Sequence, residues 1–222
     1  MKRGACAALG ALLLAGAAPA RAQSQEIIAD MAGPYQMVPT DGGPACDIQL
    51  TAIRVGSAWR ARPDTSCAAR VKGSAPVVAW RSMDGIELLD AKGKAAMTFI
   101  EDETALPSSP DLQAPKYYLV PRIAGYTHLP RPAELVGQWT LRSKGRAPCL
   151  LTLKEVPARS GEPQRTITLG KGCAGRPLPG RLTHWSMEDM SIILSGPDDI
   201  ALQLQPAAGN RYVDDGGWVL SR

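Results

Sequence analysis

Apolar residues in this chain alternate with polar ones at a period of two far more often than they recur at helical spacing, which predicts strands. The clearest run is Pro132 to Leu153, PAELVGQWTLRSKGRAPCLLTL. Leu135, Gly137, Trp139 and Leu141 occupy every second position, and Ser143-Lys144-Gly145 supplies a turn. Cys149, Leu151 and Leu153 then resume the alternation. Two such runs joined by a short turn predict an antiparallel hairpin with a cysteine at the base of its second strand. The same pattern stands earlier in the chain, with Met31, Gly33, Tyr35 and Met37 followed by Cys46, Ile48 and Leu50. The chain is therefore a tandem repeat.

The rest of each copy keeps the same order. In the first, a turn at Gly56-Ser57 precedes a strand over 58–62, and Trp80 ends a further strand before a turn at Asp84-Gly85. Ile86 and Leu88 open the next strand. Asp90 to Gly93 has the form of a three-residue hairpin loop with glycine in the left-handed position, and Ala95, Met97 and Phe99 then alternate. An acidic, Pro/Ser-rich excursion from Glu101 to Pro115 leads to a closing strand over 117–120. In the second copy the counterparts are a strand over 165–169, Trp185 in LTHWS, a hairpin of 190–194 with 200–204 across Gly196-Pro197-Asp198, and a closing strand at Gly217 to Leu220. Seven or eight short strands per copy predict an all-β protein, each copy a sandwich or a small closed barrel. With a single Phe in the chain, Trp, Leu, Ile and Met must fill the interiors.

Residues 1–22 read as a cleaved signal peptide: Lys2 and Arg3, an apolar run from Ala7 to Ala18, and Ala20-Arg21-Ala22 as the cleavage site. The apolar run is too short to span a bilayer, and no later one is long enough. Lys2, Arg3 and Arg21 are the segment's only charged residues, so its removal takes the formal charge from +4 to +1. The remaining Lys and Arg are interspersed with Asp and Glu, without the basic face that nucleic acid requires. Residues 23–30 form a short N-terminal trunk, by default a frayed end with one helical turn. The first repeat is expected over 31–122, a Pro-rich and fairly stiff linker over 123–133, and the second repeat over 134–222.

Export also settles the cysteines. Cys46, Cys67, Cys149 and Cys173 remain, an even number in an oxidising compartment, for which three pairings are formally open. Each copy holds two at similar spacing, so the repeat selects Cys46–Cys67 and Cys149–Cys173. A zinc site would need a different ligand spacing, and no Cys-x-x-Cys is present. Catalytic chemistry finds no support either. The only histidines are His128, in the linker, and His184, before a core-type Trp. No nucleophile elbow, phosphate loop or nucleotide fingerprint occurs. The acidic runs sit in turns, where solvated charge is the ordinary state. No catalytic residue, metal or cofactor is expected.

Leu-x-Gly-x-Trp-x-Leu leading to Cys-x-Leu-x-Leu, a second cysteine twenty-odd residues on, and Trp-Arg-x-x-Asp-Gly with a hairpin ending in Phe resemble the AprI/Inh family. Its members are periplasmic inhibitors of secreted bacterial zinc metalloproteases of the serralysin type. The second copy carries the fuller opening motif (Gly137, Trp139, Leu141, Cys149), and the first the fuller hairpin (Trp80, Arg81, Asp84, Gly85, Phe99). Gly33 and Trp185 complete the set, while Tyr35 replaces the opening Trp and residues 186–190 lack the Asp-Gly turn. The resemblance implies two eight-stranded antiparallel barrels with one disulfide each. It also implies that the trunk, here Gln23, Ser24, Gln25, Glu26 and Ile27, enters a protease cleft near the catalytic zinc while the first barrel docks beside it. A monomer, periplasmic or secreted, is expected. The competing expectation is an envelope binding module that inhibits nothing and holds a hydrophobic ligand, a glycan or another protein.

Overall fold

A computed structural model describes residues 19–101, 105–110, 115–157, 163–173, 175–176 and 178–222, with side chains from residue 25 onward. The apolar core of the expected signal peptide and parts of the acidic excursion lie outside the described residues. The chain opens with a helix, α1 (Pro19–Met31). The first copy then runs β1 (Gly33–Pro39), β2 (Cys46–Val55), β3 (Ala58–Pro63), the short helix α2 (Cys67–Arg70), β4 (Ala79–Met83), β5 (Gly85–Leu89), β6 (Ala95–Ile100) and β7 (Tyr117–Pro121). These seven strands form one antiparallel sheet in the order β6-β5-β4-β3-β2-β1-β7.

An eighth strand is replaced by a shorter device. Ser108 bridges Ile100 of β6 on one side and Tyr118 of β7 on the other, so the sheet curls shut through a single residue. Leu119 N–H donates to the Pro107 carbonyl at 2.9 Å, and Tyr117 N–H donates to the Ser109 hydroxyl at 2.9 Å. Among the described residues the Ser108 bridge joins the two outer strands, β6 and β7, at one point, and so shields part of each edge.

The second copy has a one-turn helix α3 (Pro132–Leu135), then β8 (Gly137–Ser143), β9 (Cys149–Val156), β10 (Gln164–Leu169), β11 (His184–Glu188), β12 (Ser191–Ser195), β13 (Ala201–Ala207), β14 (Arg211–Val213) and β15 (Trp218–Ser221). All eight strands join in a closed antiparallel barrel. Each barrel has its own interior: Trp80, Phe99, Met37, Ile48, Leu50 and Leu88 in the first, and Trp139, Trp185, Leu141, Leu151, Leu194 and Leu204 in the second. Alternation along each strand sends these side chains inward. The disulfides are Cys46–Cys67, 21 residues apart, and Cys149–Cys173, 24 apart. In the chain-entropy picture each closed loop adds roughly 3 kcal/mol.

Three details differ from the sequence reading. Trp80 lies at the start of β4 rather than its end, paired with Trp59 and Leu88. The trunk is not a single turn but part of a 13-residue helix, because Ile28 finds apolar partners in the barrel mouth. Residues 123–131 are less a spacer than a ply laid over the first barrel: Ala45 N–H donates to the Thr127 carbonyl at 2.7 Å, and the Gln36 amide reaches both the Tyr126 carbonyl and the Ile123 N–H. Ile123, Tyr126 and Leu129 pack there with Val38, Tyr118 and Val120, and with Met190 from the second copy. Tyr118 Oη donates to Asp189 Oδ1 at 3.0 Å across the same seam.

Candidate functional site

Helix α1 sits over the end of the first barrel where β1 begins and β2 ends, since Gly33 pairs with Leu50. The disulfide is at the opposite end, where Met37 pairs with Cys46. Ile28 is 3% exposed and belongs to the barrel's core, with Met31, Ala32 and Tyr35 packed against it. The neighbouring Ile27 is 55% exposed, and Gln25 and Glu26 also face solvent. Gln23 and Ser24 are helical in backbone, and their side chains are outside the description. The helix ends with Ala32 N–H donating to the Ile28 carbonyl at 3.0 Å. Tyr35 Oη then donates to the Met31 carbonyl at 3.0 Å. Burial, reinforced by the negative charge of Glu101, raises the Tyr35 phenol above its ordinary pKa and keeps it a donor.

The matching end of the second barrel is built from the same parts and then covered. Leu135, the counterpart of Met31, is buried, and Trp139 Nε1–H donates to its carbonyl at 2.8 Å. Tyr35 and Trp139 thus make the same bond to a carbonyl four residues back, which explains why Tyr can stand where the motif has Trp. The Arg222 guanidinium lies 4.8 Å from the Trp139 ring centroid and donates to the Glu134 and Val136 carbonyls. The Glu134 carboxylate accepts from the Arg131 N–H at 2.8 Å and from its guanidinium at 2.9 Å. These bonds, backbone first, hold its pKa down at about 2. His128 Nε2 stands 3.3 Å from the same carboxylate. A cavity of about 450 Å³ at this end is lined by Tyr126, His128, Trp139, Tyr212 and Arg222.

The other motif residues are framework, spread through both barrels rather than gathered at one place. Trp80 Nε1–H donates to the Thr51 carbonyl at 2.9 Å, and Trp185 Nε1–H to the Lys154 carbonyl at 3.0 Å, the same tie in each copy. Asp84 is an exposed turn residue, and Gly85 follows at φ +133°. A Cβ on Gly85 would lie 2.1 Å from the Phe99 carbonyl oxygen, so only glycine fits. Gly137 opens β8 at φ +132°, and Gly33 opens β1. His184 meets Thr183 Oγ1 at 2.9 Å and is exposed. Among the described residues no group of three or more His, Cys, Asp or Glu is placed to hold a metal, and no helix is long and apolar enough to cross a membrane.

Sequence reasoning misses the anchor of the trunk. Ile28 stands one residue past the segment expected to enter a cleft, and Ile28, Met31 and Ala32 have the i, i+3, i+4 spacing of one helical face, a signal that could have found it. Asp189 and Met190 are missed as well. Their turn, which lacks the Asp-Gly pattern, meets Tyr118 and the first barrel.

The model of one protein family, described as protease inhibitor Inh, matches the chain twice, over residues 27–106 and 129–217. No curated protein matches the chain significantly.

Proposed function

We propose that this chain, which belongs to the protease inhibitor Inh family, is exported and inhibits secreted zinc metalloproteases of the serralysin type. Gln23 to Ile27 enter the protease cleft as an uncleaved plug, the first barrel docks beside them, and the chain carries out no catalysis of its own. Two disulfides and an N-terminal export signal fit the periplasm or the extracellular medium.

The observation that carries this reading is the contrast between the two barrel ends. The trunk segment projects from the first barrel with Gln25, Glu26 and Ile27 exposed. The corresponding α3 of the second barrel is tethered on both sides and overlaid by Arg222. Five residues are too few for a stable protease complex, which engages about 20–30 residues a side. The first barrel offers more around the trunk. Met83 and Ile100 flank the side-chain-free Gly85 on adjacent strands, and Ile53 and Val55 lie at the nearby β2–β3 turn. All four are exposed. At the matching places the second copy has Val156 for Ile53 but Glu188 for Met83, a less apolar rim.

The test is a titration of the chain from Gln23 onward, disulfides formed, against a serralysin-type zinc protease. Stoichiometric inhibition that disappears on deletion of Gln23 to Ile27 is expected. An intact fold without inhibition at micromolar concentration would overturn the reading in favour of a binding module with another ligand.

A further inference from the structure

We infer that Ile28 is the positioning residue of the trunk: it pins α1 into the mouth of the first barrel and fixes the point from which the projecting segment leaves. The inference rests on the reading that Gln23 to Ile27 enter the protease cleft. It comes from comparing how the two copies hold the same helix. In the second copy the buried anchor is Leu135, at the C-terminal end of α3. Its counterpart Met31 is only partly buried, and the deep contact moves one helical turn toward the N-terminus, to Ile28. The anchor therefore sits directly behind Ile27, the last residue of the exposed segment.

Two consequences follow from that placement. Residues from Ile28 onward are held by the barrel core and by the Ile28 carbonyl bond to Ala32 N–H. Before it, the described side chains of Gln25, Glu26 and Ile27 are exposed rather than packed into the core. With the signal peptide removed, the helix would span 23–31, below the roughly 12–15 residues at which an isolated helix becomes marginally stable. As helix, five residues reach about 7 Å; extended, they reach about 16 Å. Ile28 lets the outer segment unwind into a narrow cleft while its base stays aimed. A base that is fixed before binding removes part of the ordering cost of association.

The experiment compares four variants of the full mature chain against a serralysin-type zinc protease, reading the inhibition constant and thermal unfolding for each. They are deletion of Gln23 to Ile27, Ile28→Ala, Ile28→Val and Val71→Ala. Val71 is buried in the same core at the disulfide end, and its truncation controls for simple loss of packing. Ile28→Ala is expected to weaken inhibition roughly 10- to 100-fold, with Ile28→Val recovering most of it and Val71→Ala inhibiting as the unmodified chain does. Should Ile28→Ala fail to fold, Ile28→Val against Val71→Ala carries the comparison, with a small, measurable weakening of inhibition expected in the former and none in the latter. If deletion of the trunk leaves inhibition intact, the insertion reading itself fails. If deletion abolishes inhibition while the Ile28 variants inhibit normally, or no more weakly than Val71→Ala, insertion stands and the anchor is refuted.

Discussion

The two barrels share an architecture down to single hydrogen bonds, yet they treat one end differently. In both, an indole N–H ties the wall to a β-strand carbonyl, through Trp80 to Thr51 and Trp185 to Lys154. In both, an aromatic donor caps the carbonyl that ends the leading helix. At the first barrel this end stays open around an exposed helix with an apolar rim. At the second it is overlaid by the linker, by Glu134 with its Arg131 partners, and by Arg222 over Trp139, around a cavity of about 450 Å³. The two copies share this framework, because a framework bond is needed wherever the barrel must fold.

The largest effect expected from breaking this comparison is at the glycines. Gly85 and Gly137 have nearly the same φ, +133° and +132°, but different surroundings. A methyl at Gly137 meets nothing within 4 Å, whereas at Gly85 it collides with backbone of β6. Gly137→Ala should therefore cost only the backbone strain, about 1–2 kcal/mol. Gly85→Ala must also move β5 from β6 and should cost on the order of 4 kcal/mol or more. Residue-resolved hydrogen exchange during urea titration would read both. Equal losses in the two barrels would mean that the close approach of Gly85 to Phe99 is not what confines that position to glycine.

Much of this division is legible in the amino-acid sequence, and the reason is repetition. Cys46 and Cys149 each open a strand, and the disulfide pairing follows from each copy holding its own two cysteines. The alternation of Trp139, Leu141, Leu151 and Leu153 marks a barrel wall because every second residue faces inward. What cannot be read there has specific causes. The strand-like closure at Ser108 is made by backbone groups in a Pro/Ser-rich stretch, which leaves no side-chain alternation. Helix α1 is weakly amphipathic in sequence and gains its place from Ile28 entering the barrel, a tertiary contact. The seam built by Tyr118, Asp189 and Met190 joins residues that only the relative placement of the barrels brings together.

A smaller effect sharpens the equivalence of Tyr35 and Trp139. Tyr35→Phe deletes the hydroxyl bond to Met31 and leaves that carbonyl short of a partner, so a loss of about 1 kcal/mol in the first barrel is expected. Tyr35→Trp should restore the bond from an indole N–H, as at Trp139, and recover most of that loss in the same unfolding measurement. If Tyr35→Phe is silent and Tyr35→Trp destabilises, the two aromatic positions share sequence register but not function in the fold.

The smallest effect at neutral pH belongs to the seam, and it grows only in alkali. Burial, followed by the hydrogen bond to Asp189 and the charge of that carboxylate, pushes the Tyr118 phenol up to about 12. Burial alone does the same for Tyr212, to about 12, against the opposing pull of Arg222. Unfolded tyrosine ionises near pH ~10. Between about 10 and 12 the unfolded chain has therefore lost protons that the folded chain keeps, and linkage makes stability fall as pH rises through that window. Below it the contribution of both phenols is fully present. Tyr118→Phe removes the Tyr118 share, so the difference in urea midpoint between variant and parent should narrow steadily from pH 10 to 12. The shares of Tyr212, and of Tyr35 and Tyr126, whose phenols burial also raises, remain in both proteins. A constant difference across that range would show that Tyr118 ionises as freely in the folded chain as in the unfolded one, and that its bond to Asp189 does not hold the barrels together.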